Sequence, residues 1–304
     1  MGLEDLGGAS FVIMFAISPI SIIPVRAQPS EKSEMVTQLL FGEIVEVLNT
    51  SKKLQSLNPD WSQVRCVWDD YIGWTTKKQL LFLTSQKPDY QEVASSFELV
   101  QAAMNQDHHV PITMGASLPN YDGIQFDLGE KKHTFSGQVI FPKQVTPNAD
   151  LLLKIARRYL FAPYLWGGRS PFGIDCSGLT QICFKMMGIS IPRDAYQQAE
   201  IGETIDFIEQ TQAGDLAFFV NQSNNISHVG ILMYDGQIIH ASGRVRIDKI
   251  DHLGIYNEET QSYSHQLRIV KRILPTDHER LQNTNDQIVT PKIGVVEDNA
   301  LQLF

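Results

Sequence analysis

Cysteine is scarce here, at three in 304 residues. So sparse and odd a set cannot form a disulfide framework; it suits a reducing compartment, or one working thiol among inert ones. A basic excess is also missing. The 25 Lys+Arg against 34 Asp+Glu leave a net charge of −9, whereas a nucleic-acid binder needs a basic face to displace counterions. No apolar run reaches the ~20 residues of a membrane span; the longest, residues 11–25, is broken by Ser18, Pro19, Ser21 and Pro24. Close ligand pairs of the C-x₂-C or H-x₃-H kind are absent, so a metal site is not expected. What the chain does have is 43% hydrophobic and 19% charged residues, ample for buried cores. At ~150 residues per domain, its length predicts about two domains, or three if some are small.

The apolar segment near the start raises the question of an address. Val25-Arg26-Ala27 would fit a small-residue cleavage rule, yet Glu4 and Asp5 precede the run with no Lys or Arg, where a signal peptide carries positive charge. Its prolines would also hinder a helix. The segment reads better as the first strand and turn of a folded domain beginning at Met14, with residues 1–13 an extension. That predicts a cytoplasmic protein; export, with residues 1–27 as a signal peptide, is the alternative.

Residues 14–86 read as short strands and turns, rich in aromatic and β-branched residues, which suits a small barrel. The pattern "VRAQPS…FGEIVEVL…WSQVRCVWDDYIGWTTKKQL" resembles a bacterial SH3-like domain. Residues 87–146 predict a second small β domain, with a possible helix over 88–105 and strands near 111–114, 124–128 and 137–141. From 147 to 274 the texture becomes mixed. A helix is expected over 151–160, and a second from Cys176, with apolar groups at 179, 182, 183 and 186 making one buried stripe. Strands are expected at 215–220, 228–234, 237–241 and 266–273. The polar tail, residues 275–304, shows no periodicity and predicts disorder.

Cys176 opens its helix after a glycine-rich loop, where unpaired N–H groups and the helix dipole favour a thiolate. Cys183 falls on the apolar stripe and Cys66 in a strand, so both read as core. A thiol nucleophile needs a base, and His228 and His240 lie in consecutive strands around Tyr234-Asp235-Gly236. A two-residue Asp-Gly turn would put them on opposite faces. A three-residue loop with Gly236 left-handed would set His240 opposite Gly230 and His228 diagonal to it, roughly 7–8 Å apart at Cβ. The second arrangement is the one expected. The remaining histidines, His265 among them, carry no assigned role.

Together "YLWGGRSPFGIDCSGLTQICF", "IPRDAYQQ", "AGDLAFF", "SHVGILM" and "IIHASG" resemble the NlpC/P60 cysteine peptidases, over roughly residues 150–274. The resemblance implies an α+β architecture: a papain-like catalytic domain preceded by one or two small SH3-like β-barrels. It implies Cys176 as nucleophile, His228 as general base, His240 as the residue orienting it, and Tyr164 at the oxyanion. With the upstream domains, the whole chain is similar to γ-D-glutamyl-L-diamino acid endopeptidases of the YkfC type (dipeptidyl-peptidase VI). That group cleaves peptidoglycan stem peptides bearing a free N-terminal L-Ala. By the same resemblance Asp175, Ser177, Arg193 and Asp194 line the cleft, with Tyr71 and Asp70 nominated from the SH3-like part. Asp175 also reads as an acidic N-cap for the Cys176 helix. Two other readings are a secreted D,L-endopeptidase acting on intact wall, and a catalytically dead wall-binding module. The implied partner is a stem peptide of the form L-Ala-γ-D-Glu-diamino acid, relevant to cell-wall recycling, with neither nucleic acid nor membrane.

Overall fold

The computed structural model describes residues 14–48, 58–83 and 92–275. The readings for residues 1–13 and 276–304 lie outside the described residues. No helix among the described residues is long and apolar enough to cross a membrane.

The first seven strands are β1 (Met14–Ile17), β2 (Ile22–Arg26), β3 (Met35–Leu40), β4 (Ile44–Val47), β5 (Trp61–Cys66), β6 (Ile72–Thr76) and β7 (Leu81–Phe82). They form one antiparallel sheet in the order β3-β2-β6-β5-β4-β1-β7. Alternation explains the assignment. In β5, Ser62, Val64 and Cys66 point inward while their neighbours are half-buried, the period-2 pattern of a strand covering a core. Ile23, Val25, Leu39 and Val45 complete that core.

The second module contains β8 (Val93–Ser96), β9 (Val100–Met104), β10 (His109–Thr113), β11 (Ser117–Pro119), β12 (Gln125–Leu128), β13 (Lys131–Thr134) and β14 (Val139–Ile140). They form two small sheets, β10-β9-β13-β12 and β11-β8-β14. The helix anticipated within 88–105 is not there: β8 and β9 occupy its described part. Glu, Gln, Leu, Ala and Met favour a helix locally, but ladders to β10 and β11 satisfy the backbone and bury Ala94 and Ala103. Tertiary pairing overrides propensity.

The third module opens with α1 (Ala149–Arg158), whose N-cap Asn148 accepts a hydrogen bond from the Leu151 N–H at 2.9 Å. A two-stranded ribbon, β15 (Arg169–Ser170) and β16 (Gly173–Ile174), leads into α2 (Cys176–Lys185) and the short α3 (Ala195–Gln198). Then come β17 (Glu203–Ile205), β18 (Leu216–Val220), β19 (Ile226–Leu232), β20 (Gln237–Ser242), β21 (Arg244–Ile250), β22 (Gly254–Asn257) and β23 (Ser262–Arg272). Their order is β17-β23-β18-β19-β20-β21-β22, and β22 pairs back onto β23, so six strands close into a barrel. Strand residues alternate between two cores. Phe218, Ile231 and Ile239 pack with Leu179, Ile182 and Cys183 of α2 and with Met186 at its C-cap, whereas Phe219, Leu232 and Ile238 cluster separately. This pins the N-terminus of α2 against β19.

Candidate active site

Cys176 is the first residue of α2 and is buried. Asp175 caps the helix, its Oδ1 accepting from the Gly178 N–H at 2.7 Å. The backbone N–H groups of Val229 and Ser177 lie near enough to the sulfur to favour its ionised form, which sets the thiol beside the residue next to His228. Burial nevertheless pushes the Cys176 thiol up to about 12, with the Asp175 carboxylate adding to the rise and those N–H groups and Arg193 opposing it. Burial also holds His228 well below its ordinary value, with His240 and His265 acting in the same direction. The helix-terminus effect anticipated from sequence is present, but desolvation outweighs it. The resting pair is therefore a neutral thiol and a neutral imidazole.

The hairpin geometry follows the three-residue alternative. Gly230 pairs with His240, Ile231 with Ile239 and Leu232 with Ile238, and Gly236 has φ +66°. Asp235 is also left-handed, at φ +60°, so the loop is not a type I turn closed by a single left-handed residue. A Cβ on Gly230 would lie 2.9 Å from His240 Cβ and 2.6 Å from Ile238 Cδ1; the missing side chain gives the ring its space. His228 Nε2 and His240 Nδ1 are 2.8 Å apart. Beyond them, His240 Nε2 lies 2.8 Å from Asp248 Oδ2 on β21, and His265 of β23 stacks on His228 with ring centroids 4.1 Å apart. Burial lowers His265 to about 4, with His240 adding to the effect. The three rings bring nitrogens within 4.8 Å of one another. His228 and His265 stack at an interplanar angle of 25°.

A cavity of about 290 Å³ opens beside the thiol. Tyr164, Asp175, Cys176, Ser177, Arg193 and Asp194 line it from the third module, and Glu34 and Tyr71 from the first. Tyr164 is half-exposed; burial, then Cys176 and Asp175, raise its phenol to about 12, so it stays a donor. Arg193 reaches the lining but is committed to internal partners. It is fully buried, with Nη2 on Asp175 Oδ2 at 2.7 Å, Nη1 on Asp175 Oδ1 at 3.0 Å and on Ser177 Oγ at 2.9 Å, and Nε on Thr37 Oγ1 at 3.1 Å. Asp175 is likewise occupied internally, by Arg193, Gly178 N–H and Gly167 N–H. Both hold the wall in place. Tyr71 Oη donates to Asp194 Oδ2 at 3.4 Å across the module boundary, and burial raises the Asp194 carboxyl above its ordinary value.

Asp70 does not join this wall. It is exposed in a turn at φ +58°, its N–H donating to the Cys66 carbonyl. The neighbouring Asp69 is the anchoring carboxylate, accepting from the Tyr71 N–H and from Gln181 Nε2 of α2. Three groups of the site went unread in the sequence: Asp248, His265 and Glu34. Glu34 precedes β3 and accepts a hydrogen bond from Trp166 Nε1 at 2.6 Å, linking the first module to the glycine-rich loop.

Comparison with known proteins follows the same division. The NlpC/P60 family model matches residues 162–264, and the bacterial dipeptidyl-peptidase Sh3 domain matches residues 25–80. The chain is 37% identical over 267 residues to a γ-D-glutamyl-L-lysine dipeptidyl-peptidase of Bacillus cereus, covering 80% of this chain and 76% of that protein. It is 30% identical over 213 residues to the Bacillus subtilis protein of the same name, covering 67% and 71%. In fold it resembles the crystal structure of an NlpC/P60 family protein from Bacillus cereus, with a TM-score of 0.71 at 23% identity over 86% of this chain and all of that one. The chain belongs to the NlpC/P60 family of cysteine peptidases, with a bacterial dipeptidyl-peptidase SH3 domain ahead of its catalytic block.

Proposed function

We propose that the protein hydrolyses the γ-D-Glu–L-diamino acid bond of peptidoglycan stem peptides that carry a free N-terminal L-Ala; the bond is the one named for its γ-D-glutamyl-L-lysine dipeptidyl-peptidase relatives. The observation that carries the free-amine part is the cavity beside Cys176. Glu34 and Tyr71 of the first module share its lining with Asp194. Acidic and phenolic oxygens at one end suit an ammonium, which is costly to bury unpartnered. An intact wall strand would present an acylated nitrogen there instead.

In this reading the Cys176 thiol passes its proton to His228 as sulfur attacks the γ-carbonyl of D-Glu. Tyr164 and the Cys176 N–H donate to the oxyanion. Collapse of the tetrahedral adduct breaks the C–N bond, His228 returns its proton to the leaving amine, and water, deprotonated by His228, hydrolyses the thioester. His240 orients His228. Acetylating the L-Ala nitrogen should cut kcat/KM by on the order of 10²-fold, equivalent to about 3 kcal/mol of lost charge-assisted bonding and added steric conflict. Parallel assays of L-Ala-γ-D-Glu-L-Lys, its diaminopimelate counterpart and their N-acetyl forms measure this. Equal cleavage of free and acetylated peptides would remove the recycling assignment and leave a general wall endopeptidase.

A cytoplasmic location fits recycled peptides. Cleavage after Ala27 would delete β1 and β2, with the fully buried Ala16, Ile17, Ile23 and Val25. N-terminal sequencing of the native protein is expected to find residues 14–26 retained; Gln28 as the first residue would favour export.

A further inference from the structure

The two histidines do not end the polar chain behind the thiol. His240 pairs directly with Arg246 across β20 and β21, so Asp248, two residues on, lies on the same strand face diagonal to His240. The same diagonal step relates His228 to His240. Asp248 Oδ2 is 2.8 Å from His240 Nε2, and both groups are buried. Arg246 grips the carboxylate from its own strand, Nη2 donating to Oδ1 at 2.8 Å with Nε 2.6 Å from Oδ2. Arg246 is braced by Glu259 and Asn257, and Glu259 also receives Arg244. His265, stacked on His228, completes the charged and titratable surroundings. Burial works to raise the pKa of Asp248, but the hydrogen bonds from His240 and Arg246 bring it below the ordinary carboxylate value.

An ionised carboxylate only accepts hydrogen bonds. His240 Nε2 must therefore carry a proton and donate it to Asp248. When the His240 ring carries that single proton, Nδ1 presents its lone pair and can only accept from His228 Nε2. That leaves His228 protonated at Nε2, with Nδ1 as its basic nitrogen. Were His240 free to adopt its other tautomer, Nδ1–H would donate to His228 Nε2 and the proton would sit on His228 Nδ1. We propose that Asp248 is a positioning residue of the reaction, whose carboxylate fixes the His240 tautomer and thereby keeps His228 Nδ1 free to take the Cys176 proton. The proposal rests on the assignment of Cys176 and His228 as nucleophile and base. It adds a fourth member, reached through two successive imidazoles, which also offsets the positive charge while His228 holds the thiol proton.

Asp248→Asn keeps the shape of the group and removes its compulsion, because an amide can either accept from or donate to His240 Nε2. In steady-state cleavage of L-Ala-γ-D-Glu-L-Lys, kcat is expected to fall roughly 30-fold with KM within about twofold, since Asp248 does not touch substrate. Imidazole ¹⁵N spectra of the wild-type protein should show His240 and His228 both protonated at Nε2, and the variant should show mixed tautomers. A folded Asp248→Asn protein with kcat within threefold of wild type would overturn the proposal. So would a wild-type His240 protonated at Nδ1, a measurement that needs no variant. Turnover by a Cys176→Ala protein would instead strike the thiol assignment itself, so the two failures are distinguishable.

Discussion

Cys176→Ala is expected to lose essentially all hydrolysis, by roughly 10⁴-fold or more, while unfolding within a few degrees of wild type. Cys176 is the thiol lining the cavity, and the backbone N–H groups of Ser177 on α2 and Val229 on β19 both favour its ionised form. An alanine leaves the helix cap and the Arg193–Asp175 pair untouched. Cys183→Ala supplies the contrast. That side chain is fully buried among Leu179, Ile182 and Met186, so its removal should cost on the order of 1–2 kcal/mol through a small cavity and leave kcat close to wild type. Single-turnover and steady-state assays, paired with denaturation curves, separate the two effects. A Cys176→Ala protein turning over within tenfold of wild type would end the cysteine-peptidase mechanism for this chain.

How much of this was legible in the sequence depended on local against long-range signals. Cys176 was found because a glycine-rich loop followed by an amphipathic stripe is a local pattern, and the structure places it at the helix start. The spacing of His228 and His240 around Asp235-Gly236 was likewise local, and the ladder follows the predicted pairing. Asp248 escaped because its strand did. In β21, Arg244-Val245-Arg246-Ile247-Asp248-Lys249-Ile250, Arg244, Arg246 and Asp248 alternate on one face, which reads as solvated until the closed barrel makes it an interior wall. His265 lies in the exposed, serine-rich first half of β23, ahead of the apolar stretch that marked the strand. Glu34 and the correct anchoring carboxylate, Asp69 in place of Asp70, are contributed across a module boundary. Sequence separation of more than a hundred residues leaves no periodic trace of such contacts.

That boundary is also where the second large effect is expected, on replacing Glu43 with Gln. Glu43 sits between β3 and β4, fully buried, and accepts from Arg169 Nη1 at 2.8 Å and Nη2 at 3.0 Å. It also accepts from Lys185 Nζ at the end of α2, and the same ammonium donates to the Gly115 carbonyl of the second module at 2.8 Å. Arg169 Nη1 reaches the Gln38 carbonyl at 2.7 Å. One carboxylate thus ties all three modules together and anchors the ribbon that leads into Cys176. Burial tends to raise its pKa, but the two cations win and bring it down from 4.5 to about 2. A carboxylate depressed in this way contributes stability that is fully present above 4.5 and is lost as pH falls towards 2. Over that interval the contribution is about 3 kcal/mol. Glu43→Gln strands two buried cations and should cost about 3–5 kcal/mol near neutral pH, or on the order of 10 °C in Tm for a chain of this size. The wild-type and variant stabilities should then converge as pH is lowered from 4.5 to 2. Thermal or denaturant unfolding of both proteins across that range measures it. Equal stability at pH 7 would mean that the modules are held together by their apolar contacts and that the ion cluster contributes nothing net.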